Sequence, residues 1–162
     1  MIRVDELNNF RPQVCCPNGE RINLDMIQNA IKDCAEQFGI PVAFRNDQVK
    51  SGGFFNATVE NCLVMYHPNH TDDYLKFCIR VRRQGTYAFV VIDSFGYSRQ
   101  MNKAARVEFE QKNFRQADTA GGMIASAFRS GIAGIGKNQQ KLEEEQMYYQ
   151  CISDIFDNIM RG

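Results

Sequence analysis

The side chains best suited to chemistry crowd into one short stretch. Both histidines of the chain lie in Tyr66-His67-Pro68-Asn69-His70-Thr71-Asp72-Asp73. Two imidazoles beside two carboxylates can bind a divalent cation or act as general acid and base, because an unperturbed imidazole titrates near neutrality. His67, His70, Asp72 and Asp73 are therefore the candidate metal ligands. A simpler reading competes with this one. Pro68 and Asn69 are ordinary turn residues, either aspartate suits an Asx-turn, and no further ligand is recognisable in the sequence. A solvated turn without metal or cofactor is the favoured expectation.

A second constellation is cationic. Lys76, Arg80 and Arg82 fall on one side of an alternating segment, Arg83 follows, and Arg99, Lys103 and Arg106 recur at helical spacing. If coplanar, the two stripes would contact nucleic-acid phosphates without reading sequence and with strong salt dependence. Aromatic side chains for stacking are sparse, Tyr74 and Tyr97 being nearest. Cations on the outer face of a sheet also keep it soluble and discourage edge pairing, and that reading is preferred.

Residues 131–137, Gly-Ile-Ala-Gly-Ile-Gly-Lys, match the G-x-x-x-x-G-K part of a phosphate-binding loop. Asn138, however, stands where Ser or Thr would hold magnesium, and too little chain follows to supply the parallel sheet that frames such a loop. Close helix approach or a hinge explains these small residues more simply. No nucleophile with an identifiable base emerges either. Cys62 and Cys78 could face each other across neighbouring strands, but periodicity does not fix register.

The bulk properties narrow the choices further. Lys and Arg together balance Asp and Glu to a formal net charge of zero, so nothing global favours nucleic acid, an anionic membrane or a charged substrate. A chain of 162 residues has single-domain size and can bury roughly 70% of its unfolded surface. The six cysteines lack paired C-x-x-C spacing, and charges at Arg3, Asp5 and Glu6 leave no apolar signal core. Structural thiols in a reduced, cytoplasmic protein are expected. No run of about 18 apolar residues occurs, so no membrane insertion is expected.

The clearest element lies over residues 74–93. Leu75, Phe77, Ile79 and Val81 alternate with Lys76, Cys78, Arg80 and Arg82, Gly85 breaks the pattern, and residues 87–92 are apolar throughout. The spacing predicts a hairpin whose apolar side is sealed by helices and whose arginines face outward. Leu24, Ile27, Ile31, Cys34 and Phe38 predict a helix over Leu24–Phe38, capped by Asn23 and stopped by Gly39. Val42 and Phe44 predict a short strand and residues 46–53 a polar loop. Residues 54–59 and 62–67 predict two strands around a Glu60-Asn61 turn, and Cys15-Cys16-Pro17 a turn.

The expectation is a single α+β domain over residues 1–162. Residues 1–21 are irregular, 24–38 form a helix, and 42–92 a mainly antiparallel sheet of about five strands. Two or three C-terminal helices occupy 99–160, broken by a Gly/Ala-rich stretch at 121–136, the last of them long. One helix followed by a meander, over residues 24–92, resembles in outline the small bacterial secretion-chaperone-like folds, although a helix between the third and fourth strands is lacking. That resemblance implies partner binding through a sheet face, or dimerisation.

The expected function is accordingly a non-catalytic, cytoplasmic protein-interaction or chaperone-like module. It would self-associate as a homodimer through Tyr149, Ile152, Phe156 and Ile159 on the last helix, which carries more apolar surface than simple packing requires. Nucleic-acid binding is the alternative. Metal binding or metal-dependent hydrolysis at residues 67–73 ranks third.

Overall fold

A computed structural model describes residues 1–70, 75–96 and 139–161 of the chain. Among these residues the fold is α+β, with a seven-stranded sheet and two α-helices. The strands are β1 (Ile2–Arg3), β2 (Asn8–Asn9), β3 (Val14–Cys16), β4 (Ala43–Ser51), β5 (Thr58–Tyr66), β6 (Lys76–Gln84) and β7 (Tyr87–Phe95). The helices are α1 (Leu24–Phe38) and α2 (Gln139–Arg161). The helix expected after Ser98, the Gly/Ala-rich stretch and the 131–137 motif lie outside the described residues.

Helix α1 forms where capping and periodicity agree. The Asn23 side chain accepts from the Met26 amide at 2.8 Å, and Gly39 ends the helix with φ 66°. Ile27, Ile31 and Ala35 are its buried face. Strands β6 and β7 join through Gly85, whose φ of 61° suits the tight turn between Gln84 and Tyr87. Phe77 and Ile79 of β6, Leu63 and Met65 of β5, and Val90 and Ile92 of β7 form one apolar face. Helix α1 and the Tyr149, Ile152, Ile155 and Phe156 stripe of α2 cover it. Phe77 is the hub, edge-on to Phe10, Tyr149 and Phe156 at centroid distances of 4.7, 5.9 and 5.5 Å.

Several sequence expectations are corrected. The sheet is mixed, because β1 pairs parallel to β4 (Ile2↔Val49, Arg3↔Lys50). The order is β1-β4-β5-β6-β7-β2, with β3 also on β7. Residues 1–21 are therefore part of the sheet, including the Cys15-Cys16 pair in β3; strands of two or three residues are too short to show a period. The polar stretch from Asn46 belongs to a nine-residue β4, and β5 runs without a break through Glu60 and Asn61. These two strands pair along their whole length, from Ala43↔Tyr66 to Ser51↔Thr58, and support each other as a ribbon.

The N-terminal strap also explains the curl of the sheet. β1 lies on one edge and β2 on the other, joined by a 3-10 turn at Val4–Glu6. That link spans at most about 18 Å fully extended, whereas a flat sheet at about 4.8 Å per strand would separate the two edges by about 24 Å. The sheet must bend. Ile2 and Leu7 thereby join Val49, Cys62, Val64, Cys78 and Phe95 in a second cluster on the face opposite the helices. Arg11 fastens the end of the strap to α2, donating to Asp157 and to the Ser153 hydroxyl at 2.7 Å.

Truncating Phe156, buried at the α2–sheet junction, should cost about 3–5 kcal/mol. Urea unfolding of Phe156→Ala checks this, with exposed Met147→Ala expected within about 0.5 kcal/mol of the parent chain.

Candidate functional site

Three places merit description as sites, beginning with the face of β6 that the sequence predicts to be solvent-facing. Direct cross-strand partners put Val64, Cys78 and Asp93 side by side on β5, β6 and β7. Lys76 and Arg80 share that face and are buried, at 7% and 5% exposure. The outward basic stripe is thus corrected: a guanidinium enters the interior because acids on both flanking strands meet it. Arg80 donates to Asp93 and, at 3.1 Å, to Glu60. Arg82 binds the same Glu60 carboxylate through Nε at 2.9 Å. Burial pushes the Glu60 carboxyl up, but Arg82 and Arg80 outweigh it and hold it below its ordinary value.

The remaining members of the basic candidate set are engaged elsewhere. Lys76 places its ammonium 5.9 Å from the Phe95 ring centroid. Arg83 donates to the backbone carbonyls of Gly19, Glu20 and Ile22, tying β6 to the loop before α1. Arg99, Lys103 and Arg106 lie outside the described residues. Cys62 and Cys78 are both buried and share a hydrogen bond. That bond, together with burial, pushes the Cys78 thiol far up, while the same bond holds the Cys62 thiol below its ordinary value.

The histidine pair is the second place. His67 and His70 stack at 4.0 Å with their planes 11° apart, and Tyr148 of α2 stands edge-on to both, at 4.7 and 5.6 Å. The Asn69 amide donates to His67 Nδ1 at 3.1 Å, and the His70 amide to the His67 carbonyl, also at 3.1 Å. The segment is a turn. Tyr148 in turn donates its hydroxyl to the Pro41 carbonyl at 3.0 Å. Burial lowers the His67 pKa, and burial together with the His67 charge lowers that of His70 to about 4. Among the described residues no group of three His, Cys, Asp or Glu side chains is placed to hold a metal; Asp72 and Asp73 lie outside them. Sequence could not find Tyr148 as the third member, because α2 is remote in the chain.

Third is the surface the ribbon creates. Direct pairing of β5 with β6 covers Leu63↔Ile79 to Met65↔Phe77, and on its N-terminal side Glu60 bridges to Arg80 and Arg82 through side chains. A cleft of about 710 Å³ opens at that point, lined by Asn23, Asp25, Asn46, Gln48, Asn61 and Arg83 among others. Its wall mixes the amides of Asn23, Asn46, Gln48 and Asn61 with the carboxylates of Asp25, Asp47 and Glu60. At the ribbon's tip Phe54 and Phe55 are 95% and 93% exposed, their rings edge-to-face at 5.4 Å. The sequence pattern had placed both in a strand. Their neighbours Gly52-Gly53 were the signal for a loop.

The self-association candidates, which the sequence assigns to a homodimer contact, pack within their own chain. Tyr149, Ile152 and Phe156 are buried in the core of their own chain, and Ile159 packs against it. No protein-family model, curated protein or solved structure matches the chain.

Asp93→Ala should destabilise by about 1.5–3 kcal/mol, because the buried Arg80 guanidinium keeps only the Glu60 carboxylate that it shares with Arg82, whereas Arg80→Met combined with Asp93→Leu should recover most of that loss. Chemical denaturation of the three chains measures it. A pH effect follows from His70. Unfolded, it takes up a proton near pH 6.5; folded, only near 4. The unfolded chain then binds more protons, so stability falls as pH drops from about 6.5 toward 4. Glu60, Asp47 and Asp157, held below their ordinary values, lose their contributions only at lower pH. Denaturation midpoints at pH 7 and 4.5 should differ less in His70→Gln than in the parent chain.

Proposed function

We propose that the chain is a non-catalytic, cytoplasmic protein-interaction module, and that the tip of the β4–β5 ribbon is its contact element. The observation that carries this reading is the near-complete exposure of two adjacent phenylalanines, Phe54 and Phe55. Large apolar side chains held together in water mark surfaces that another molecule covers, and aromatic residues dominate binding energy at protein interfaces.

The tip is shaped as well as apolar. Gly52 takes φ 91°, and a Cβ there would meet the Asn56 carbonyl oxygen at 2.2 Å, so only glycine fits this turn. Ser51 and Thr58 close its base through hydroxyls 2.6 Å apart. The fitting partner is a protein with a concave apolar pocket.

A reduced compartment is supported by all six cysteines being free thiols, two of them buried. No helix among the described residues is long and apolar enough to cross a membrane. The buried or engaged state of Lys76, Arg80, Arg82 and Arg83 weighs against the nucleic-acid alternative.

Phe54→Ser/Phe55→Ser should leave the unfolding midpoint within about 0.5 kcal/mol of the parent chain while weakening partner binding by at least ~2 kcal/mol, roughly thirtyfold. A photo-crosslinking phenylalanine analogue at position 55 identifies the partner, and titration of the purified pair measures the loss. Equal crosslinking from position 55 and from exposed Glu20 would refute the reading.

A further inference from the structure

We infer that the chain takes up an extended, basic segment of its partner as an added strand on the open edge of β5, in the cleft where β5 and β6 part. The inference deepens the interaction-module reading and rests on it, naming the part of the partner protein that the cleft receives.

The cleft exists because two strands stop pairing. β5 holds β4 over its full length and β6 holds β7 over its full length, but β5 and β6 pair directly only from Leu63↔Ile79 to Met65↔Phe77. Residues 58–62 and 80–84 therefore each have a strand on one side only among the described residues. Every second residue of such an edge turns its amide and carbonyl outward, and an extended peptide is the ligand whose own main chain matches that spacing. Glu60, Arg80 and Arg82 bridge the gap on the face of Val64 and Cys78, away from the helices. The helix side stays open. There the cleft of about 710 Å³ lies against the start of α1.

Its wall selects the same kind of ligand. Asn46, Gln48 and Asn61 are on the helix side, because Asn46 pairs with the core residue Leu63 and Gln48 with Asn61, two residues away. Primary amides both donate and accept, which suits a peptide main chain. Leu24 and Val81 add apolar surface for a small aliphatic side chain. No aromatic ring lines the cleft, so a flat ring ligand would have nothing to stack on.

Charge sets the sign of the segment. Asp47 receives the Met1 ammonium, Glu60 is held by Arg80 and Arg82, and Arg83 donates to three carbonyls of the loop before α1. Asp25, exposed in the first turn of α1, makes no ion pair among the described residues. The uncommitted charge of the wall is thus negative, and a lysine or arginine on the helix-side face of the added strand answers it. The open edge also leads to the ribbon tip. It ends at Thr58, whose hydroxyl meets that of Ser51 at the base of the turn carrying Phe54 and Phe55.

Fluorescence anisotropy with the full chain and a labelled probe, acetyl-Thr-Lys-Thr-Val-Thr-Val-Thr-amide, tests this; when extended, the probe puts its lysine and valines on one face. Saturable binding at about 10–100 μM is expected, with the amide resonances of residues 58–62 shifting on titration. Replacing the probe lysine by glutamate should weaken binding about tenfold, as should Asp25→Lys in a chain shown by circular dichroism to be folded. The Asp25→Lys chain should prefer the glutamate probe. Of the two probes N-methylated at alternate residues, at least one should lose binding, because it no longer donates to the edge. Absence of saturable binding up to about 1 mM overturns the inference, as does binding indifferent to charge reversal or to both N-methylations. Failure of every probe while position 55 still crosslinks a protein removes the added strand and leaves the interaction-module reading standing. Probe binding that meets these expectations without a crosslink from position 55 keeps the strand site and removes the tip as the contact element.

Discussion

A charge withdrawn from water must be met by an opposite charge, and in this chain that requirement falls on Arg80. Its guanidinium sits in the middle of β6, on the face away from the helices, between Asp93 of β7 and Glu60 of β5. The alignment it needs is specific. Shifting β6 by one residue against either neighbour would turn Arg80 toward the helix-covered core and expose Phe77 and Ile79. The pairing that stabilises the charge is thus the pairing that puts the apolar side chains against α1 and α2. Buried ion pairs contribute little net stability compared with hydrophobic replacements; here the gain lies in fixing the register of three strands.

The two faces of the sheet are closed by different means. Helices with amphipathic stripes cover one, through an aromatic hub at Phe77 and the Arg11 tie between strap and α2. The other is closed by the N-terminal strap, whose short span between the sheet edges bends the strands. The bend gathers Ile2, Leu7, Cys62, Val64, Cys78 and Phe95 into a second core. Groups that resemble reactive ones are used structurally in this arrangement: the thiol pair packs, and the stacked imidazoles brace Tyr148 of α2.

What remains for an outside partner is the surface that neither closure reaches. The β4–β5 ribbon extends past its contact with β6 and ends in two phenylalanines in water.

The sequence by itself determined the elements whose signal is local. Asn23, Gly39 and the Leu24-to-Phe38 spacing specify α1, Gly85 specifies the β6–β7 turn, and alternation in β6 shows that Phe77 and Ile79 face a core. It also showed that α2 needs a covered seam. Periodicity, however, records only which side of an element is apolar. Whether the polar side meets water depends on acids elsewhere in the chain, and only tertiary pairing brought Glu60 and Asp93 to Arg80 and Tyr148 to the histidines. The same limit applies to β1–β3, too short to have a period, and to the polar half of β4, which is a strand because β5 lies along it. The exposure of Phe54 and Phe55 was likewise decided in three dimensions, since an apolar residue carries no mark in sequence of being left outside the core.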